Sequence, residues 1–177
     1  MSRTEVSGPA VVHGSDDEEL VITRVLEVPR ERIFKAWVEP ERLARWWAPP
    51  GFTMSVLRLT PAAGGIFHYA LDSPAGFSMW GKFTYRDIMP PERIVSIFSF
   101  ADEQGNPVRH PVSPTWPLET LNTLTLSDTD GKTALVLRSA PHHASEVERK
   151  TFRDGHESMT QGFSDSFARL AQYLSTL

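Results

Sequence analysis

A long amphipathic stretch at the C-terminal end, Ser145 to Leu177, leaves few architectures open, because it needs a broad apolar surface to lie on. Met159, Phe163, Phe167, Leu170, Leu174 and Leu177 recur in threes and fours, the spacing that puts side chains on one face of an α-helix. The opposite face carries Glu157, Gln161, Asp165, Ser166, Arg169 and Gln172, so the helix should lie half in water and half against a sheet. Ser145 and Glu148 have the form of a capping box at a helix start, and a start nearer Asp154 fits equally well. Gly155 and Gly162 each cost a helix roughly 1 kcal/mol relative to Ala. They read as close-approach positions or as a break before the final helix.

The surface for that helix comes from the segments before it. From Phe52 to Ser139 the apolar period is two, with strands expected at Thr53 to Leu59, Gly65 to Leu71, Ser78 to Ile88, Arg93 to Phe100, Thr120 to Leu126 and Thr133 to Ser139. Turn chemistry such as Ala63-Gly64-Gly65, Pro90-Pro91 and Asp128-Thr129-Asp130-Gly131 separates most of them, which predicts an antiparallel meander. The exception is Ala101 to Leu118, proline-rich and too long for a hairpin, which is either a disordered excursion or a lid; Trp116 within it points to a lid that packs on something. Upstream, Leu20 to Val28 reads as a strand stopped by Pro29, followed by a short helix with Ile33, Phe34, Trp37 and Val38 on one side. A second helix from Pro40 carries Leu43, Trp46 and Trp47 and ends at Pro49-Pro50-Gly51. Residues 1–18, polar and ending in acidic residues, are expected to be a flexible tail, and 19–177 a single domain. The order is α+β: a curved antiparallel sheet, two short helices, and a long terminal helix gripped by the sheet around a hydrophobic cavity.

A net charge of -4 gives no basic patch for nucleic acid, and no run approaches the roughly 20 apolar residues that span a bilayer. A chain with no cysteine has no thiolate chemistry, disulfides or Cys-ligated zinc, and suits a reducing cytoplasm, where the protein is expected to reside. His-Glu-x-x-His, Gly-x-Ser-x-Gly and a phosphate-binding glycine loop are all absent. His110, His142, His143 and His156 therefore read as surface loop histidines, and neither a metal nor a cofactor is expected. Arg30, Arg32, Arg42 and Arg45, interleaved with Glu31, Glu39 and Glu41, read as a solvated face.

Several landmarks together resemble a known family. They are Pro29-Arg30-Glu31-Arg32-Ile33-Phe34-Lys35-Ala36-Trp37, Pro40-Glu41-Arg42-Leu43-Ala44-Arg45-Trp46-Trp47, Gly64-Gly65-Ile66-Phe67-His68-Tyr69, Trp80-Gly81 with Phe83, Pro91-Glu92-Arg93-Ile94-Val95, Asp130-Gly131-Lys132-Thr133 and the helix from Met159 to Leu174. The chain is similar, over about residues 19–174, to the bacterial relatives of the C-terminal domain of the activator of the heat-shock-protein-90 ATPase, in the START-like (SRPBCC, Bet v-like) superfamily. The resemblance implies a helix-grip fold. Where that pattern has Gly-Trp in the last helix, this chain has Gly162-Phe163, which fills a pocket without an indole donor.

Alternation places Phe67, Tyr69 and Leu71 on one face of their strand and Met79, Gly81, Phe83 and Tyr85 on one face of the next, with His68 pointing the other way. Phe98, Phe100 and Leu124 from later strands, Trp37 and Trp46 from the short helices, and Met159, Phe163 and Phe167 from the last helix complete the expected ligand-binding lining. Tyr69 and Tyr85 would offer phenols to orient a mostly apolar ligand. Such stripes also pack filled cores; the fold resemblance favours the cavity. With no assembled catalytic set, the expected function is non-enzymatic binding of a hydrophobic or aromatic small molecule, as in lipid-binding cavities. The alternatives are a chaperone-regulating protein-interaction module, and a cyclase- or hydrolase-like enzyme using a cavity Tyr or His. Expected partners are accordingly the hydrophobic ligand, with a chaperone, another protein or a second copy of the chain as alternatives, and neither nucleic acid nor membrane.

Overall fold

The alternating segments form one antiparallel sheet. In this computed structural model, which describes residues 10–13 and 18–177, the strands are β1 (Ala10–His13), β2 (Leu20–Leu26), β3 (Thr53–Leu59), β4 (Ile66–Asp72), β5 (Ser78–Met89), β6 (Arg93–Ala101), β7 (Pro107–Val108), β8 (Glu119–Thr129) and β9 (Lys132–His142). Their order is β1-β2-β9-β8-β6-β5-β4-β3, with the short β7 added to β6. The expected meander is therefore present from β3 to β9, and β2 closes it at the far side by pairing with β9. The stretch read as a loose tail contains β1, which pairs with β2; residues 1–9 and 14–17 lie outside the described residues.

The short helices are α1 (Arg30–Val38) and α2 (Pro40–Trp46). Ile33, Phe34 and Ala36 of the first and Leu43 and Trp46 of the second are buried, and the Trp46 indole donates to the Ala36 carbonyl at 2.9 Å, which fixes one helix on the other. The C-terminal stretch is two helices, α3 (Glu146–Asp154) and α4 (His156–Leu174). The capping box at Ser145 and Glu148 starts the first, and Gly155 breaks the chain before the second. A side chain at Gly155 would meet Trp116, with Cζ3 at 2.8 Å, so that glycine is both the break and a close approach. Gly162 is neither, since nothing lies near the place a Cβ would take and it faces the cavity mouth. Phe167, Leu170 and Leu174 bury the apolar face of α4, while Leu177 is exposed beyond its end. No described helix is long and apolar enough to cross a membrane.

The 101–118 insertion is an ordered strap that crosses from one sheet face to the other. Its first turn covers the convex face: the Asp102 carbonyl lies 3.1 Å from His68 Nε2, and Lys82 Nζ donates to the Gly105 carbonyl at 3.0 Å. His68 does point away from the cavity, as alternation required, but it is buried rather than exposed because this turn lies over it. The strap's second half is the expected lid. Trp116 packs on Phe152 at 5.5 Å, Arg109 pairs with Glu148 at 2.8 Å, and Thr151 donates to the Thr115 hydroxyl at 2.9 Å.

Candidate functional site

Between the concave sheet face and α4 lies a cavity of about 900 Å³, partly open to solvent. That volume is near the upper end of pockets that enclose drug-sized molecules. Its existence is not a failure of packing, since the same hydrophobic cluster continues past the cavity into Ile22, Ile33, Leu126, Leu135 and Leu170, which are fully buried at the β2–β9 side. Leu126 and Leu135 share the inward parity of the lining strands but belong to that fully buried part.

The wall is a continuous run of ring contacts. Trp37 meets Trp46 at 4.7 Å, Trp46 meets Trp47 at 5.3 Å, and Trp47 meets Phe83 at 5.7 Å. From Phe83 the run continues to Phe98 at 4.9 Å, Phe100 at 5.4 Å and His110 at 4.8 Å. Trp116 and Phe152 continue it along the lid. Most of these pairs are tilted or edge-on, the arrangement that the ring quadrupole favours. The helices α1 and α2 bring the tryptophans, the strand period of two brings the phenylalanines, and α4 supplies Met159, Phe163 and Phe167 above them.

Of the residues expected to line the site, Trp37, Trp46, Phe67, Tyr69, Leu71, Phe83, Tyr85, Phe98, Phe100, Leu124, Met159, Phe163 and Phe167 do face the cavity. Met79 and Gly81 do not. Met79 pairs with Leu71 one residue from the turn that joins β4 to β5, past the edge of the lining. Gly81 has the inward parity, but the Tyr69 ring fills the space above it, with Cε1 2.8 Å from where a Cβ would stand. His110 was expected on the surface and instead closes the wall between Phe100 and Trp116, because the strap folds back over the sheet. His156 is also buried, beside Phe152 with Nε2 3.3 Å from the Glu18 carbonyl. His142 and His143 stand apart from the cavity with their rings 4.0 Å from each other, His142 Nε2 lying 3.2 Å from the Arg86 guanidinium.

Polar groups were missed on the cavity floor: Ser96, Thr120, Asn122 and Ser139 all line it and are buried. Strand parity could have found them, since Ser96 lies between Ile94 and Phe98, and Asn122 between Thr120 and Leu124. The charged lining residues are on the helices: Asp154, Asp165 and Arg169, the last donating to the Trp46 carbonyl at 3.2 Å and to Ser166 at 3.0 Å.

Burial sets the protonation of the cavity's titratable groups. It pushes the Tyr69 phenol up to about 12, against a hydrogen bond with Trp47 that acts the other way. It pushes Tyr85 up as well and holds His110 below the ordinary imidazole value. Near neutral pH both phenols therefore carry their protons, and neither serves as a base. Because the folded-state value of Tyr69 is raised, its contribution is fully present below about pH 10, where the unfolded chain also keeps its proton, and is lost as pH rises toward about 12. Tyr69→Phe is expected to flatten that alkaline decline. Urea unfolding of both proteins at about pH 7 and about pH 11 measures it, and parallel losses in the two would exclude Tyr69 as a source.

The model of the family described as activator of Hsp90 ATPase homolog 1-like protein matches residues 27–175. Solved structures share the fold. A Mycobacterium smegmatis protein is 24% identical with a TM-score of 0.77, over 95% of this chain and 97% of that one. An Arthrobacter aurescens protein is 22% identical with a TM-score of 0.77, over 95% and 92%. A Rhodobacter sphaeroides protein is 21% identical with a TM-score of 0.76, over 97% and 100%. No curated relative matches the chain.

Proposed function

This chain belongs to the family of activator of Hsp90 ATPase homolog 1-like proteins, within the SRPBCC superfamily, and from that premise we propose that it binds a hydrophobic or aromatic small molecule between its sheet and α4. The observation that carries the reading is the cavity of about 900 Å³ walled by aromatic rings, beside a core that is already filled. Apolar surface withdrawn from water returns roughly 25 cal/mol per Å², so a flat apolar molecule is the occupant such a wall rewards most. The lid held by Trp116 and the Arg109–Glu148 pair limits solvent access on one side. With both phenols protonated at neutral pH, the cavity offers binding groups rather than a tyrosinate base.

The test is a titration with pyrene, whose absorption overlaps tryptophan emission, so that it quenches nearby tryptophans by energy transfer. Trp37, Trp46, Trp47 and Trp116 all line the cavity. Saturable quenching at one pyrene per chain is expected, and a linear, non-saturating response would remove the binding reading.

A further inference from the structure

Across the cavity floor, four polar side chains lie in register on adjacent strands: Tyr85 of β5 pairs with Ser96 of β6, Ser96 with Asn122 of β8, and Asn122 with Ser139 of β9. All four face the cavity and are at least nine-tenths buried. On one side of this row stand Ile94, Leu124 and Leu137, on the other Phe98 with Thr120, so the polar strip is set within an apolar surface. Asn122 donates from Nδ2 to the carbonyl and the hydroxyl of Thr120, both at 3.2 Å, which turns the amide and leaves its oxygen unengaged. The side-chain oxygens of Tyr85, Ser96 and Ser139 make no hydrogen bond with any described residue. None of these oxygens is sealed off from the cavity, so each can hydrogen-bond whatever fills it, which valine or alanine at these strand positions could not do. A purely apolar occupant would strip them of water without replacing its hydrogen bonds, so the row points to an occupant that carries a polar group.

We infer that the row receives an uncharged oxygen-bearing group of the ligand, a hydroxyl or carbonyl on an otherwise apolar, flat molecule. This rests on the binding reading above. The row holds donors and acceptors but no charge, and the one Arg or Lys of the lining, Arg169, sits on α4 with two nitrogens already engaged. An ionised carboxylate at the floor would lose its hydration without gaining a cation, while a neutral hydroxyl can donate to the Asn122 oxygen and accept from Ser96, Ser139 or Tyr85. The phenols of Tyr69 and Tyr85 thus differ in use: the first fills space over Gly81, and the second is part of the row.

The experiment compares pyrene, pyrenemethanol and pyrene carboxylate on the full chain, on a Ser96→Ala/Ser139→Ala double variant, and on Tyr85→Phe, which keeps the ring. Loss of two hydrogen bonds to the ligand should weaken pyrenemethanol roughly tenfold in the double variant, while pyrene, relieved of covering two hydroxyls, binds at least as tightly as before, and the single phenol should cost the alcohol a few-fold. Thermal unfolding of the variants without ligand verifies that the fold is kept. In the native protein the alcohol should bind more tightly than the carboxylate at neutral pH. Equal affinity of pyrenemethanol for native and variant chains, or preference for the carboxylate, overturns this inference while leaving the cavity reading in place. Failure of pyrene itself to bind saturably overturns the cavity reading, and this inference with it.

Discussion

Phe167→Ala is expected to lower the unfolding free energy by about 3 to 5 kcal/mol, the range measured when a buried aromatic side chain is truncated in a core. Phe167 is 1% exposed and sits where α4 crosses the short helices, its ring 6.1 Å from Trp37 and 6.1 Å from Phe163. Trp37 in turn leans on Trp46, whose indole is tied to the Ala36 carbonyl and whose own carbonyl accepts from Arg169 on α4. The ring therefore closes a circuit in which α1, α2 and α4 hold one another. Truncation cannot be repaired by local collapse, because Trp46 is already locked on its far side and the neighbouring space is the cavity, so the loss includes both transfer and void terms. Equilibrium urea unfolding measures it, with Gln172→Ala on the exposed face of the same helix as a reference expected to change by less than about 0.5 kcal/mol. A loss as small for Phe167→Ala would mean that α4 does not pack by this face.

The same residues show what a sequence makes legible. The helix face of α4 and the strand parity of β4 to β9 follow from periods of 3.6 and 2, which depend only on backbone geometry, and both were readable from apolar spacing. The family landmarks added the grip of sheet on helix. What periodicity does not carry is depth: Leu71 and Met79 are cross-strand partners of equal parity, yet only Leu71 reaches the cavity. Nor does it carry the course of an aperiodic segment. His110 lies in a proline-rich stretch with no repeat, and its place in the wall is set by distant anchors, the Arg109–Glu148 pair and the Trp116–Phe152 contact. The buried His68 has the same origin, a turn near Asp102 that folds over the convex face. The polar row was readable in principle, since Ser96, Asn122 and Ser139 share parity with the aromatic lining. Attention to apolar spacing alone passes over it.

Gly81→Leu is expected to destabilise the protein by about 3 kcal/mol, at the upper end of the usual cost of overpacking, and to abolish pyrene binding. Inward parity at Gly81 by itself allows two outcomes, a larger side chain that plugs open space with little unfolding or one that overpacks a filled region. The structure decides for the second, because Tyr69 is the direct cross-strand partner of Gly81 and folds its ring over the glycine. The ring is free only on its cavity side. Phe67 stands 4.9 Å from it, Trp47 6.1 Å and the stacked Phe83 6.4 Å, and Tyr69 is itself buried. A leucine must therefore push the phenol toward the cavity, breaking the Trp47 contact and filling the volume a ligand would take. The two effects share one cause and so should be relieved together. Tyr69→Ala in the Gly81→Leu background removes the clashing ring, and a coupling of about 1 to 3 kcal/mol between the two sites is expected, with part of the binding restored. Thermal and urea unfolding of the four chains in the cycle, each paired with a pyrene titration, measures both quantities. Additive losses with binding intact in Gly81→Leu would show that Tyr69 does not occupy the space above the glycine and that the floor of the cavity lies elsewhere.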